Sequence, residues 1–192
     1  HNRVFIVEVM GHKVGWITLH AGIASGADII LIPEIPYDIA KVCEALGRRT
    51  KQGKGFSILA VAEGAISKEV AALPKKERKA AVAAAAEKYP SVAYEVADKI
   101  KEYSGMDIRV TVPGHTQRGG SPDPYDRVIS SLFGAEAVEL IKNKDFGKLV
   151  VMRNNEVTAI PMEESAGKLK YVSPDDSIVK YAKRLGISFG DE

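Results

Sequence analysis

The chain has 192 residues, of which 45% are hydrophobic and 27% charged, and it carries a net charge of +2. This length suits one ample domain with an ordinary globular balance of apolar and charged residues. A charge this near neutrality, with basic residues scattered among acidic ones, argues against a nucleic-acid partner. No apolar run approaches the roughly 20 residues of a membrane-spanning helix, so we expect no membrane partner either.

The first half of the chain alternates apolar, β-branched runs with amphipathic periods, which predicts alternating strands and helices. The only cysteine, Cys43, takes an apolar position in the second helix, which favours a buried structural thiol over a reactive one. A single cysteine also fits a reducing compartment, and we expect a cytoplasmic protein. The predicted strands are 4–9, 28–33 and 56–61, and the predicted helices are 15–25 and 37–49.

The second half continues this alternation after an alanine-rich stretch. Residues 67–90 are predicted as a helical insertion on one connection. In the long helix further on, Gly134 marks a candidate interruption, and Ser173 is the expected N-cap of the last helix. Asn154-Asn155 is a two-residue hairpin signal. The predicted elements are helices at 93–103, 124–143 and 174–185 and strands at 109–112, 149–153 and 156–160.

Repeated strand–helix units predict an α/β fold, namely a doubly wound, mostly parallel, Rossmann-like sheet with helices on both faces. In such sheets ligands bind at the carboxyl ends of the strands. Polar or glycine-bearing turns follow four of the predicted strands, as this rule requires. These turns are Met10-Gly11-His12, Pro33-Glu34, Ala62-Glu63-Gly64 and Gly114-His115.

The most informative turn belongs to the loop at 113–122. His115 and Arg118 lie three residues apart, two glycines follow them, a strand leads in and a helix leads out. Arginine offers a planar fork of donors to a phosphate, glycines allow close backbone approach, and a helix N-terminus favours negative charge. The loop therefore predicts a site for a phosphorylated small molecule; the plainer alternative is a turn with a surface arginine.

Several single residues stay open on sequence alone. Arg109 lies inside a predicted strand, so it either faces outward from an edge strand or is buried and needs an anion or an interface. Glu63 follows a strand end, where a carboxylate can accept hydrogen bonds from sugar hydroxyls or cap the next helix. Met10–His12 is better interpreted as a plain turn than as backbone placed against a ligand. Lys54 is better interpreted as a solvated loop residue than as an anion-binding one. Glu8, inside the first strand, is expected to be a structural hydrogen-bond partner.

Taken together, these motifs resemble the C-terminal half of the 6-phosphofructokinase family. Their order and spacing agree from the first residue to about Ile160. The Gly-His-x-Gln-Arg-Gly-Gly-Ser-Pro run carries most of the match. The matching segments are 3–11, Gly15-Trp16, Ile32-Pro33-Glu34, Ala62-Glu63-Gly64 and 114–127.

The resemblance implies the C-terminal part of that family's fold and a division of roles within it. His115 and Arg118 would hold the 6-phosphate of fructose 6-phosphate, whereas Arg3 and Arg109 would reach that phosphate from a neighbouring subunit. This resolves Arg109 as an interface arginine and implies a homo-oligomer, either a dimer or a tetramer. The implied substrate-binding residues are Arg3, Met10, Gly11, His12, Glu63, Arg109, His115 and Arg118.

An effector site between subunits is also implied, as in bacterial members of the family. Asp28 stands where well-known regulated members have a glutamate, and Gln52 stands where a basic residue is common. Both differences argue against effector control in this chain. The matching positions are Gly26, Ala27, Asp28, Gln52, Lys54, Gly55 and Phe56.

Two departures from the family bear on catalysis. His12 replaces an arginine that helps to neutralise the transferred phosphoryl group, and histidine is shorter and only partly charged near neutral pH. The family's Gly-Gly-Asp-Gly loop, its metal-binding aspartate and its catalytic base belong to an N-terminal half, and those motifs do not occur in this sequence. We therefore expect no catalytic residue or metal ligand here, and no activity without that half.

The resulting interpretation is that residues 1–192 are the sugar-phosphate half of a longer glycolytic enzyme that phosphorylates the 1-hydroxyl of fructose 6-phosphate. Its partners would be fructose 6-phosphate, other subunits and the N-terminal half. The phosphoryl donor would be ATP or pyrophosphate, with Mg²⁺ as the cofactor of the complete enzyme. The alternative is a non-catalytic sugar-phosphate-binding or regulatory module.

Overall fold

The computed structural model describes residues 3–192, which form two compact units. The first unit takes in the chain up to Gln117 together with Lys170–Glu192, and the second is Arg118–Leu169. No helix of the described residues is long and apolar enough to cross a membrane.

The described part of the first unit is built on a four-stranded sheet in the order β2-β3-β1-β4, and every neighbouring pair is parallel. Parallel strands need crossover connections, and helices supply them here. The strands are β1 (Arg3–Val9), β2 (Ile29–Leu31), β3 (Phe56–Ala62) and β4 (Asp107–Thr111). The helices are α1 (Trp16–Ser25), α2 (Ile39–Lys51), α3 (Lys68–Ala72), α4 (Lys75–Lys88), α5 (Val92–Ser104) and, from the end of the chain, α7 (Ser177–Arg184).

Helices cover both faces of this sheet, which confirms the doubly wound prediction. Successive residues of a strand point to opposite faces. Accordingly Leu59 packs in a buried cluster with Leu46 of α2 and Ile100 of α5, whereas the next residue, Ala60, packs in a second cluster with Leu19 of α1 and residues of α7. Strand β2 is buried throughout, as its run of Ile and Leu predicts, but it is shorter than the expected 28–33.

The edge strand β4 has one covered face and one open face. Ile108 and Val110 pack against the cluster that contains α5, while Asp107, Arg109 and Thr111 are exposed. The side chain of Arg109 is 56% exposed. Of the two alternatives that the sequence left open for Arg109, the outward-facing position on an edge strand is the one observed, because the layer formed by α1 and α7 does not extend over β4.

The stretch predicted as a helical insertion, residues 67–90, forms α3 and α4, which meet at Pro74. Ser67 caps α3 by accepting a hydrogen bond from the backbone N–H of Val70. None of the residues of α4 is buried. An alanine-rich sequence accounts for a helix with so little packing, since alanine has the highest intrinsic helix propensity.

The second unit contains one long helix, α6 (Pro124–Lys142), and an antiparallel hairpin of β5 (Lys148–Arg153) and β6 (Glu156–Pro161). Asp123 caps α6 by accepting from the N–H of Asp126, and Arg127 donates to the carbonyl of Pro122. The two residues between the strands have the positive φ angles of a type I′ turn, 51° at Asn154 and 63° at Asn155. The predicted hairpin is confirmed.

Two predicted helix features are wrong. Gly134 does not interrupt α6, which runs through it unbroken. Ser173 is not an N-cap: its hydroxyl accepts from the N–H of Asp175 in a preceding turn, and α7 begins later, where Asp176 accepts from the N–H of Ile178. A Ser and an Asp three residues apart both suit the N-cap position, and the chain uses the second.

We predict that Gly134→Ala stabilises the protein by about 0.5–1 kcal/mol, because alanine costs less conformational entropy than glycine inside a helix. A Cβ at this position meets no atom within 4 Å. The matched control is Gly105→Ala, which is equally free of contacts but has a φ of +66°, and it should destabilise by about 1–2 kcal/mol. Urea unfolding of both variants checks the pair; a loss of stability in Gly134→Ala would contradict the prediction.

Candidate functional site

A sharp turn follows the carboxyl end of β1. The carbonyl of Gly11 accepts a hydrogen bond from the N–H of Val14 at 3.2 Å. A Cβ on Gly11 would lie 2.7 Å from the oxygen of Val14, so only glycine fits. His12 adopts a φ of +55°, a conformation that residues with a side chain seldom take. The turn over Met10–His12 is therefore a constrained feature and not the plain turn that spacing alone suggested.

The carboxylate of Glu63 holds this turn. Its Oε1 accepts hydrogen bonds from the backbone N–H groups of Gly11 at 3.2 Å and His12 at 2.5 Å. Of the two roles left open by the sequence, capping the next helix is excluded, because Ser67 caps α3. Oε2 of Glu63 accepts no hydrogen bond from residues 3–192 and is available to a ligand hydroxyl.

Gly64 explains how the ends of β1 and β3 come this close. A Cβ at Gly64 would lie 2.2 Å from the carbonyl oxygen of His12 and 3.2 Å from the ring of Pro33. Pro33 follows β2, so turns from three adjacent strands converge on one point. The Ala-Glu-Gly motif thus provides a carboxylate to bind the turn and a glycine to make room for it.

The loop after β4 reaches the same end of the sheet. It forms a 3₁₀ helix over Gly114–Arg118, and the Oε1 of Gln117 accepts a hydrogen bond from the N–H of Met10 at 3.2 Å. His115, in the same 3₁₀ helix, is exposed. Sequence reasoning gave Gln117 no role, although its place in the Gly-His-x-Gln motif could have drawn attention to it. Arg118 is exposed and is the first residue of the second unit.

The other two candidate arginines lie towards the opposite end of the sheet. Asp107 binds both: its Oδ2 is 3.4 Å from Nε of Arg3, and its Oδ1 is 2.6 Å from a terminal nitrogen of Arg109. Arg3 precedes Met10 by seven residues of β1, roughly 23 Å at about 3.3 Å per residue. Arg109 is paired with Phe5 in the sheet, roughly 17 Å from Met10 on the same basis.

Within one chain, therefore, the candidate substrate residues of the first unit fall into two separate groups. One group surrounds the Met10–His12 turn, and the other is the pair of arginines on Asp107. Both arginines are about half exposed, so their ion pairs contribute little to stability and leave them able to bind an anion. Sequence reasoning missed Asp107, which lies just outside the apolar run used to place β4.

The candidate effector positions meet at the amino ends of β2 and β3. The carboxylate of Asp28 pairs with Arg49 at 2.8 Å and accepts a hydrogen bond from the N–H of Ile58 at 2.9 Å. Arg49 also donates to the hydroxyl of Ser57 at 3.1 Å. Both carboxylate oxygens of Asp28 are thus occupied within the chain. The remaining positions form the adjoining turns: Gly26 and Ala27 after α1, and Gln52, Lys54, Gly55 and Phe56 between α2 and β3.

Glu34, which belongs to one of the predicted polar turns but was given no role of its own, is a second carboxylate that holds backbone groups. It accepts hydrogen bonds from the N–H of Gly15 at 3.0 Å and from the N–H of Val172 at 3.0 Å. It thereby fixes the start of α1 and the returning C-terminal segment to the end of β2. Cys43 is buried as expected, and its burial raises the pKa of the thiol, which keeps it neutral.

No group of three metal-ligating side chains lies close enough to hold an ion among residues 3–192. The chemistry this end of the sheet can perform is the binding of a polar ligand by a carboxylate oxygen, backbone groups and an exposed imidazole.

Comparison with known proteins gives a family match along most of the chain. The family model described as phosphofructokinase matches residues 1–141. The ATP-dependent 6-phosphofructokinase of Spirochaeta thermophila is 52% identical over 191 residues, covering 100% of this chain and 52% of that protein. The enzyme of the same name from Chloroflexus aggregans is 43% identical, with 100% and 51% covered. The chain spans about half the length of these curated relatives.

Solved structures agree. Phosphofructokinase from Pichia pastoris in the T-state matches with a TM-score of 0.66 and 34% identity, covering 85% of this chain and 17% of that one. A pyrophosphate-dependent phosphofructokinase from Nitrosospira multiformis reaches a TM-score of 0.74 at 22% identity, covering 97% and 48%, which supports the fold alone. The motifs that form the turn at the end of β1 fall within the matched residues, and the chain belongs to the phosphofructokinase family.

Proposed function

We propose that this chain is the fructose 6-phosphate-binding half of an enzyme that transfers a phosphoryl group to the 1-hydroxyl of that sugar in glycolysis. The observation that carries the proposal is the turn at Met10–His12, bound by Glu63 and joined to the 3₁₀ helix of His115 through Gln117. In a family named for this reaction, the arrangement lies where an open α/β sheet binds its ligand.

Different residues bind the phosphate and the sugar of this substrate. His115 and Arg118 hold the 6-phosphate, as charge-assisted donors do for phosphate oxygens. The free Oε2 of Glu63 accepts a hydrogen bond from a sugar hydroxyl, and the backbone of Met10 and Gly11 lies against the sugar. The positions of these groups on rigid strand ends orient the 1-hydroxyl towards the donor.

We propose further that each site is completed by a second copy of this chain. Arg3 and Arg109 lie too far from the Met10–His12 turn to serve the same substrate molecule in one chain. Both arginines lie on an exposed face, and both already pair with an anionic group, the carboxylate of Asp107. They are placed to bind the 6-phosphate held by a neighbouring subunit. A dimer or tetramer satisfies this requirement.

The donor and the remaining catalytic groups belong to another part of the enzyme. ATP is the donor we propose, since the curated relatives at 52% and 43% identity are ATP-dependent; the pyrophosphate-dependent protein is more distant. Mg²⁺, which neutralises the phosphates during transfer, and the catalytic base would be held by an N-terminal half. As a glycolytic enzyme it would act in the cytoplasm.

Effector control at the amino ends of β2 and β3 is not part of this proposal. Asp28 binds Arg49 and the backbone of β3, so a ligand there would have to displace an internal ion pair. One observation favours a second candidate function, a non-catalytic sugar-phosphate module: His12 stands where the family's arginine is expected. Binding of fructose 6-phosphate to a complete protein that shows no kinase activity would favour that module.

Arg118→Ala should raise the KM for fructose 6-phosphate by about tenfold or more in the complete enzyme, because a charge-assisted hydrogen bond contributes about 1.5–3 kcal/mol. Arg153→Ala is the control: it removes an exposed arginine of the same unit, which pairs with Glu164. Steady-state kinetics with varied fructose 6-phosphate measures both. An unchanged KM in Arg118→Ala would remove this residue from the site.

Gly64→Ala should weaken fructose 6-phosphate binding at least tenfold while the fold persists, because the added Cβ would collide with the carbonyl of His12 and shift the turn. Gly47→Ala adds the same methyl group inside α2, where it meets nothing within 4 Å, and should bind normally. Titration calorimetry gives the affinities, and circular dichroism verifies folding. Native affinity in a folded Gly64→Ala protein would contradict the described role of the turn.

A further inference from the structure

A cavity of about 330 Å³ lies between α4 and α5 in the first unit. Its apolar lining includes small side chains of α4, Ala81 and Ala85 among them, together with Val70 and Val92. Because these side chains are short, α4 covers the space without filling it. The volume is at the lower end of the range for small-molecule sites.

The charged residues that line the cavity are all of one sign. Glu8, Glu63 and Glu95 line the cavity, and none of its lining residues is a lysine, arginine or histidine. Glu63 is bonded to the Met10–His12 turn, and Glu95 pairs with Lys99 at 2.7 Å. Glu8 is buried, and its carboxyl group forms no ion pair with any of residues 3–192. A buried carboxylate in that condition is costly.

The start of α5 shows how this charge is accommodated in part. Ser91 occupies the N-cap position, where a serine hydroxyl ordinarily accepts a hydrogen bond from the N–H two residues on. Here Oε2 of Glu8 accepts from that N–H, of Ala93, at 2.7 Å. The hydroxyl of Ser91 is consequently buried with no hydrogen-bond partner among the described residues, although Ser91 lines the cavity.

Tyr37 adds a neutral polar group to the lining. Its side chain is buried, and burial together with the charges of Glu95 and Glu69 raises the pKa of the phenol, which stays protonated. Among the described residues, the lining thus combines a carboxyl group with no ion-pair partner, a hydroxyl with no hydrogen-bond partner, a phenol and apolar side chains.

We propose that this cavity binds a small organic cation, a primary amine on a short apolar body. The ammonium group donates hydrogen bonds to the carboxylate of Glu8 and the hydroxyl of Ser91. The apolar body lies against the alanine face of α4. The site takes the opposite charge from a sugar phosphate but shares Glu63 with the proposed sugar-phosphate site, so it is tested with no sugar phosphate present.

The test uses 2-phenylethylamine as the probe and titration calorimetry on the complete protein. The amine should bind, and phenylacetate, which has the same ring and the opposite charge, should bind at least tenfold more weakly. Glu8→Gln keeps an oxygen to accept from Ala93 but removes the charge, and it should weaken the amine at least tenfold. No binding at millimolar amine, or equal binding of amine and acid, would overturn the proposal.

A second pair of variants tests the location without touching the buried carboxylate. Ala85→Leu fills the cavity from the α4 side and should weaken the amine at least tenfold. Ala84→Leu places the same side chain on an exposed position of α4 that does not line the cavity, and it should bind like the native protein. Equal affinities in the two variants would show that the amine binds elsewhere.

Discussion

The hydrogen bonds from the backbone of Gly11 and His12 to the carboxylate of Glu63 are the constraint on which the site depends. Each backbone group at a strand end needs a partner, and here one carboxylate supplies it for an unusual turn. Gly64 permits the approach, and Gln117 brings the loop after β4 to the same point. Four sequence motifs that lie far apart in the chain are thereby joined into one surface.

The same sheet that assembles one group of candidate residues keeps another group apart. Strand β1 begins at Arg3 and ends at the turn, so its length separates the paired arginines from the substrate-binding loop. This separation is a property of the fold and cannot be removed by side-chain rotation. A phosphate site that uses both groups consequently requires two chains, which makes assembly a part of the proposed function.

Local structure that depends on burial or on turn residues was predictable from the sequence. Contacts between residues far apart in the chain were not. The Ile and Leu of β2 and the Asn-Asn hairpin specify their local structure. Arg109 was left open between an edge position and a buried one, because alternation along a strand does not reveal whether that strand is at an edge. The partner of Glu63 is 51 residues away, and Asp107 matters only through its position between two arginines. Such contacts depend on strand order, which one sequence does not state.

The measurement that tests the shared site most directly mixes two inactive variants of the complete enzyme, His115→Ala and Arg109→Ala. Each mixed pair of subunits contains one site with both residues intact. Random assembly should restore about a quarter of native activity, because half of the pairs are mixed and each has one intact site. Activity no higher than the sum of the separate variants would contradict a site divided between two chains.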